Sequence, residues 1–381
     1  MRALVVVTWT LLGLALAGCG RRAPTRAPQA RQVRLSPHLV LRGAVIAGAR
    51  PSAATAPGAA PSLGPSDVEL HDGRIVAIAP AGTLAPPGAA IRDLSGRWLA
   101  PAFIDSHVHL AILPEVMTGE LADRGVAAAV DLGAPLPYLD HHPGTPRLIV
   151  SGPMITAPAG YPVNSWGEDG YGLECGSTAE AIASVNRLAD HGADLIKLPL
   201  TEPPTLPDAT IAAVVTQAHA RKLRVAVHAL SDPDAARGAA AGADLLAHTP
   251  VQPLADATVA AWRARTVITT LGAFGGTAAT VDNLRRLRAA GATILYGTDL
   301  GNTQTAGIDP NELALLQQAG LDGAAILAAG TRTPAAYWGL GDLGQLAPGK
   351  AASLLVLDAD PVLDPLTLAR PVQVYLDGAL R

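Results

Sequence analysis

Two histidines two residues apart, His107 and His109, close a short apolar run that begins at Phe103. On an extended strand, residues i and i+2 point to the same side, so both imidazoles would face one space. Neutral imidazole is a natural ligand for Zn²⁺ and similar ions. The His-x-His pair alone is weak, because ten His in 381 residues give roughly 0.3 such pairs by chance. Its weight comes from the ends of the other apolar runs, where Lys197, His228, His248 and Asp299 stand. The remaining histidines, at 38, 71, 141, 142, 191 and 219, fall in turns, loops or helical stretches and are expected at the surface.

Lys197 is the sharpest of these signals. The chain holds 25 Arg and only three Lys, so it uses Arg wherever a plain cation suffices. Yet a Lys sits inside Ala193-Asp194-Leu195-Ile196-Lys197-Leu198-Pro199, where burying an ammonium is costly. Lys can lose its proton when buried and Arg cannot. Lys197 could therefore act as a Schiff-base amine, or it could be carboxylated to an anion that binds metals.

These residues must be held by a scaffold that the rest of the sequence describes. Eight apolar runs occur at 103–105, 126–130, 147–150, 194–198, 224–227, 244–247, 266–270 and 293–296. Helical stretches at 178–191, 208–220, 233–241 and 281–290 lie between several of them, with Gly192, Gly242 and Gly291 as helix stops. This alternation over roughly 235 residues predicts a parallel (β/α)₈ barrel, with a doubly wound sheet as the alternative. Catalytic groups of such barrels sit at the C-terminal strand ends, where the six residues above fall. Asp309-Pro310-Asn311-Glu312 predicts another helix start, with Glu312 placed to complete a capping box. Short strands at 39–98 and again after 353 predict a small β-domain built from both ends of the chain, with His71-Asp72-Gly73 as a hairpin turn.

As a set, these segments resemble the amidohydrolase superfamily over roughly residues 39–378. Pro101-Ala102-Phe103-Ile104-Asp105-Ser106-His107-Val108-His109-Leu110 is similar to the family's first-strand motif. The segments 193–198, 225–230, 242–249 and 295–301 are similar to its fourth, fifth, sixth and eighth strands, and 344–353 to the return into its small β-sandwich. Segments 125–133 and 146–158 most resemble the imidazolonepropionase-like and Xaa-Pro-dipeptidase-like branch. The chain departs from the pattern at Ala102, where the family usually has Gly, and at Ser353, where it usually has Asp.

The resemblance implies an α/β protein, a (β/α)₈ barrel at 99–340 with a β-sandwich from 38–98 and 341–381. It implies a two-metal hydrolase of carbon–nitrogen bonds, the ions being Zn or alternatively Mn, Fe or Co. His107, His109 and Asp299 would bind one ion, His228 and His248 the other, and carboxylated Lys197 would bridge them. Two nearby divalent cations need an anion between them and lower the pKa of a bridging water towards ~7. Asp299 would take that water's proton and hand it to the leaving nitrogen. The competing readings are a Lys197 Schiff-base lyase and an inactive ligand-binding barrel.

The substrate is expected to be a small molecule. Tyr161, Trp166 and Tyr171 gather three of the chain's thirteen aromatics in a long Gly-rich segment, 152–176. Long loops at this face are usually functional, and an aromatic-pinned surface loop is the alternative. Glu168 and Asp169 in the same segment could meet a cationic group.

Composition bounds the remaining possibilities. A net charge of −4 gives no support to nucleic-acid binding. With 49% hydrophobic and 16% charged residues the chain is not disordered, and two Cys exclude a disulfide scaffold. Residues 3–17 form an apolar run too short to span a membrane, ending in Leu16-Ala17-Gly18-Cys19. This resembles a bacterial lipoprotein signal, with 1–18 removed and Cys19 lipidated, and an ordinary signal peptide is the alternative. Residues 19–37 then read as a basic tether on an envelope-anchored protein. Cys19→Ala is expected to yield soluble or unprocessed protein; membrane partitioning after complete signal cleavage would count against lipidation.

Overall fold

A computed structural model describes residues 38–48, 64–113, 115–141 and 143–381; the signal segment, Cys19, the tether and His142 lie outside them. Five strands open the described chain: β1 (Leu39–Ile46), β2 (Ser66–His71), β3 (Arg74–Pro80), β4 (Ala90–Asp93) and β5 (Trp98–Pro101). They are followed by β6 (Phe103–Val108), β7 (Val126–Asp131), β8 (Arg147–Val150), β9 (Met154–Thr156), β10 (Gly172–Glu174), β11 (Leu195–Pro199), β12 (Arg224–His228), β13 (Leu245–Leu246), β14 (Thr266–Ile268) and β15 (Thr293–Leu295). The last three are β16 (Leu354–Leu357), β17 (Gln373–Leu376) and β18 (Ala379–Leu380). The helices are α1 (Glu115–Asp123), α2 (Thr178–Asp190), α3 (Asp208–Ala220), α4 (Asp232–Ala240), α5 (Asp256–Ala261), α6 (Ala278–Ala289), α7 (Pro310–Gln318), α8 (Gly323–Gly330) and α9 (Arg332–Tyr337). The architecture is α/β, and no described helix is long and apolar enough to cross a membrane.

Both ends of the described chain meet in one mixed sheet, ordered β18-β17-β16-β5-β1-β2-β3, with β4 also on β1. A register shift between Leu41 and Ala44 lets β1 pair with β2 and β4 in its first half and with β5 in its second. Leu41, Val68, Ile75, Leu99, Leu354 and Tyr375, drawn from both halves of this path, share one apolar core. That common core makes the two ends mutually dependent, since neither covers its own apolar face alone.

The eight sequence-predicted runs become parallel strands in two groups, β6-β7-β8 and β11-β12-β13-β14-β15. Ser106 N–H donates to the Tyr296 carbonyl at 2.9 Å and Asp299 N–H to the His107 carbonyl at 2.8 Å, joining one edge of each group. At the other edge Asp194 N–H donates to the Val150 carbonyl at 3.0 Å. These strands are buried on both faces, which is why they read as continuous apolar runs. The three glycine stops hold, each with positive φ at Gly192, Gly242 and Gly291.

Three expectations change. The run at 266–270 stops at Ile268, because Thr270 turns into the left-handed region at φ 43°. The segment 152–176 is partly ordered as a parallel ladder of β9 with β10. Asp309 caps α7 as expected, accepting from Asn311 N–H at 2.8 Å, but Glu312 does not reach back to complete a capping box. It is buried, and its carboxylate accepts from Leu271 N–H at 3.0 Å and Gly272 N–H at 2.7 Å. A buried acid gains more from two orphan amides than from a solvated helix start.

Candidate active site

The site is built from strand ends. His107 and His109 project from the end of β6 to the same side, their Nε2 atoms 3.2 Å apart. Each Nε2 lies 3.4 Å from Oδ1 of Asp299, which follows β15. His107 Nδ1 donates to the Ala247 carbonyl at 2.7 Å and His109 Nδ1 to the Gly133 carbonyl at 3.3 Å. A carbonyl only accepts, so both protons sit on Nδ1 and both Nε2 lone pairs face Asp299. Ligand atoms about 2.0–2.1 Å from a tetrahedral ion stand roughly 3.4 Å from one another, so this trio fits a metal without rearrangement. Among the described residues, no other group of His, Cys, Asp and Glu converges in this way.

His248 and His228 adjoin the trio without joining it. The His248 ring lies 4.4 Å from that of His107 and 4.7 Å from that of His228, centre to centre. Its Nδ1 is 2.9 Å from the Thr270 hydroxyl. Thr270 is a β-branched residue at positive φ, an unfavourable backbone state that a fixed surrounding must impose. Burial drives the acidity of all four imidazoles so that they stay neutral, His109 being pushed down to about 3.

Lys197, in the middle of β11, is fully buried, and its Nζ has no hydrogen-bond partner. Burial lowers its pKa, against the opposing pull of Asp299 and Asp131. Burial raises the pKa of Asp299, against an Asn302 Nδ2 hydrogen bond of 3.1 Å and the charge of Lys197. An unpartnered buried amine is an expensive group to keep.

Two carboxylates that sequence reasoning overlooked hold the His107 and His109 segments in place. Asp131 accepts from Leu110 N–H at 2.8 Å and Gly133 N–H at 3.0 Å, clamping the backbone on either side of His109. Asp105 accepts from His107 N–H at 3.1 Å and from the Thr298 hydroxyl at 2.6 Å, tying β6 to the segment that carries Asp299. Burial raises both to about 7. The signal that singled out Lys197, an ionisable residue within an apolar run, also marks these two.

The aromatic segment lies against the histidines. Trp166 stands edge-on to His109 with ring centres 5.1 Å apart, and Tyr161 stacks on His228 at 4.8 Å. Trp166 Nε1 donates to the Tyr161 hydroxyl at 2.8 Å, and Tyr171 packs on Trp166 at 5.2 Å. Phe274, which the sequence did not single out, packs edge-on to His248 at 4.9 Å. Glu168 and Asp169 are exposed, and the thiol of Cys175 is buried beside Ser184. His38, His71, His141, His191 and His219 all lie outside the site.

Gly133 sets the clearance for His109. An added Cβ would stand 3.1 Å from His109 Cε1 and 2.7 Å from Met154 Cε. The methionine tip can yield, while His109 is held by the Gly133 carbonyl. Gly133→Ala is expected to fold with a loss of about 1–2 kcal/mol and to bind metal roughly 10–100-fold more weakly. Metal retained after dialysis against a graded chelator measures this; wild-type retention would show that Gly133 does not set the position of His109.

Residues 139–380 match the model of the amidohydrolase family, a span containing Lys197, His228, His248 and Asp299. No curated protein matches the chain. Among solved structures, a Bifidobacterium longum protein provisionally named a prolidase is 23% identical, with a TM-score of 0.71 over 91% of this chain and 95% of that one. A Xaa-Pro dipeptidase with bound methionine is 18% identical, with a TM-score of 0.75 over 90% and 99%. Molinate hydrolase is 16% identical, with a TM-score of 0.68 over 91% and 95%. The likeness to these structures is one of fold.

Proposed function

The chain belongs to the amidohydrolase family, a family of metal-dependent enzymes, and from that premise we propose that it hydrolyses a carbon–nitrogen bond of an amide, cyclic amide or dipeptide-like small molecule. We read the eight parallel strands as a closed (β/α)₈ barrel and the mixed sheet as its β-sandwich partner. The observation that carries the functional reading is the buried convergence of His107 Nε2, His109 Nε2 and Asp299 Oδ1 beside an amine that has no partner. His107, His109 and Asp299 would hold one divalent ion, and His228 and His248 a second. The neutral Lys197 amine would add to CO₂, releasing a proton and leaving an N-carboxylate to bridge the two. Bound divalent ions of this kind supply an activated water at neutral pH and polarise the carbonyl to be attacked. Asp299 would accept a proton on its carboxylate and deliver it to the leaving nitrogen. Tyr161, Trp166 and Tyr171 would line the substrate space, and Cys19, as the lipidated first residue, would hold the enzyme at the cell envelope.

Metal analysis joined to an amide-cleavage screen tests this. About two Zn-type ions per chain and cleavage of a C–N substrate are expected. A protein that takes up no metal after supplemented expression would leave the ligand-binding reading in its place. The buried, partner-free amine also suits a Schiff base. Borohydride trapping of a carbonyl compound on Lys197 would replace the hydrolytic reading with a lyase.

A further inference from the structure

The distribution of charge around the site narrows the substrate, given the amide-hydrolase reading above. The eight parallel strands end on one face, and the segments following them are 109–114, 132–146, 151–177, 200–207, 229–231, 247–255, 269–277 and 296–309. None of the chain's 28 Lys and Arg lies in any of these segments. The acidic residues there include Glu168, Asp169, Glu202 and Asp309, besides Asp299 itself. At the opposite strand ends Arg147 pairs with Asp342 at 2.7 Å and Arg265 donates to the Ala243 carbonyl at 2.8 Å. Two cations reach these segments from flanking helices and are already engaged there: Arg237 of α4 with Asp208 and the carbonyls of Leu200 and Leu206, and Arg286 of α6 with Asp256 and the carbonyl of Leu254. Among the described residues Lys197 is the one cation that acts on His107, His109 and Asp299, and the functional reading commits it to the metal.

A substrate carboxylate drawn out of water needs a cation or several N–H donors, and Arg is the usual provider because its fork matches both oxygens. A dipeptide with a free C-terminus would find no uncommitted Arg or Lys at this mouth, Arg237 and Arg286 being paired, and would be repelled by Glu168, Asp169 and Glu202. The walls, by contrast, are well suited to apolar groups: the Trp166, Tyr161 and Phe274 rings stand against His109, His228 and His248. Such rings also favour a cation over their faces.

We infer that the enzyme acts on neutral or cationic amides without a free carboxylate, their apolar or aryl part packed against Tyr161, Trp166 and Phe274. The test offers zinc-loaded full-length protein two matched pairs: phenylalanyl-proline with its C-terminal amide, and N-benzoylglycine with its amide. Turnover gives kcat/KM, and quenching of tryptophan fluorescence, referred to Trp166→Phe, gives Kd whether or not cleavage occurs. The amide member is expected to be favoured at least tenfold. The preference should shrink in the Glu168→Gln/Asp169→Asn/Glu202→Gln variant. Equal or better use of the free acids overturns the inference while leaving the hydrolase reading intact. Selective binding of the amides without cleavage supports the inference and weighs against that reading. Failure of every member to bind at millimolar concentration, or a preference unchanged in the triple variant, also overturns it.

Discussion

Lys197→Ala is expected to leave a folded protein with little metal and with activity reduced roughly 10³-fold or more, because the proposed bridging anion can no longer form. The stability of the metal-free form should change little. Truncation opens a cavity beside Asp299, but it also removes an amine that is fully buried and hydrogen-bonded to nothing. A lost structural residue would instead lower Tm sharply. Added formate or acetate should restore part of the activity and of the metal, since a small carboxylate can enter the vacated space and supply the missing anion. A Lys197→Ala enzyme with full metal content and near wild-type kcat would refute the bridge. Crystallography or intact mass at neutral pH is the suitable direct check, as acid strips CO₂ from a carbamate.

Asp299→Asn separates two roles that the geometry superimposes. The residue follows β15 at φ 59°, a left-handed conformation that Asp and Asn both tolerate, so its backbone should survive the change. The amide oxygen can still face His107 and His109, as Oδ1 now does at 3.4 Å. Tm should therefore stay within a few degrees, with most of the metal retained. The amide cannot accept a proton at neutral pH, so kcat is expected to fall by about 10²–10⁴, as for a lost general acid–base. The acidic limb of the pH–rate profile should flatten as well. Activity within a few-fold of wild type would show that Asp299 only closes the turn after the last strand.

Several site features were legible because they are local. Period-two geometry places His107 and His109 on one side of a strand whatever surrounds it. A lone Lys within an apolar run, in a chain that otherwise uses Arg, marks Lys197 as a buried amine, and burial follows from its neighbours in sequence. Helix starts and stops were legible for the same reason: Asp309 and Gly192 act through bonds within a turn or two. The amidohydrolase motifs lie within single strand–loop units and could be read one by one.

What folding alone decided depends on partners far apart in the chain. Glu312 followed the local capping pattern on paper, yet its carboxylate is spent on Leu271 and Gly272, some forty residues away. Asp105 reaches Thr298, and His107 fixes its tautomer on Ala247, through contacts set by strand order and register. The convergence of Asp299 on His107 and His109, the stacking of Tyr161 on His228 and the packing of Phe274 on His248 arise in the same way. Local sequence determines which face of an element a side chain occupies, because backbone periodicity is a property of a few residues. Which other side chain it meets is decided only when distant strands pair, because that choice minimises the unpaired polar groups of the whole core.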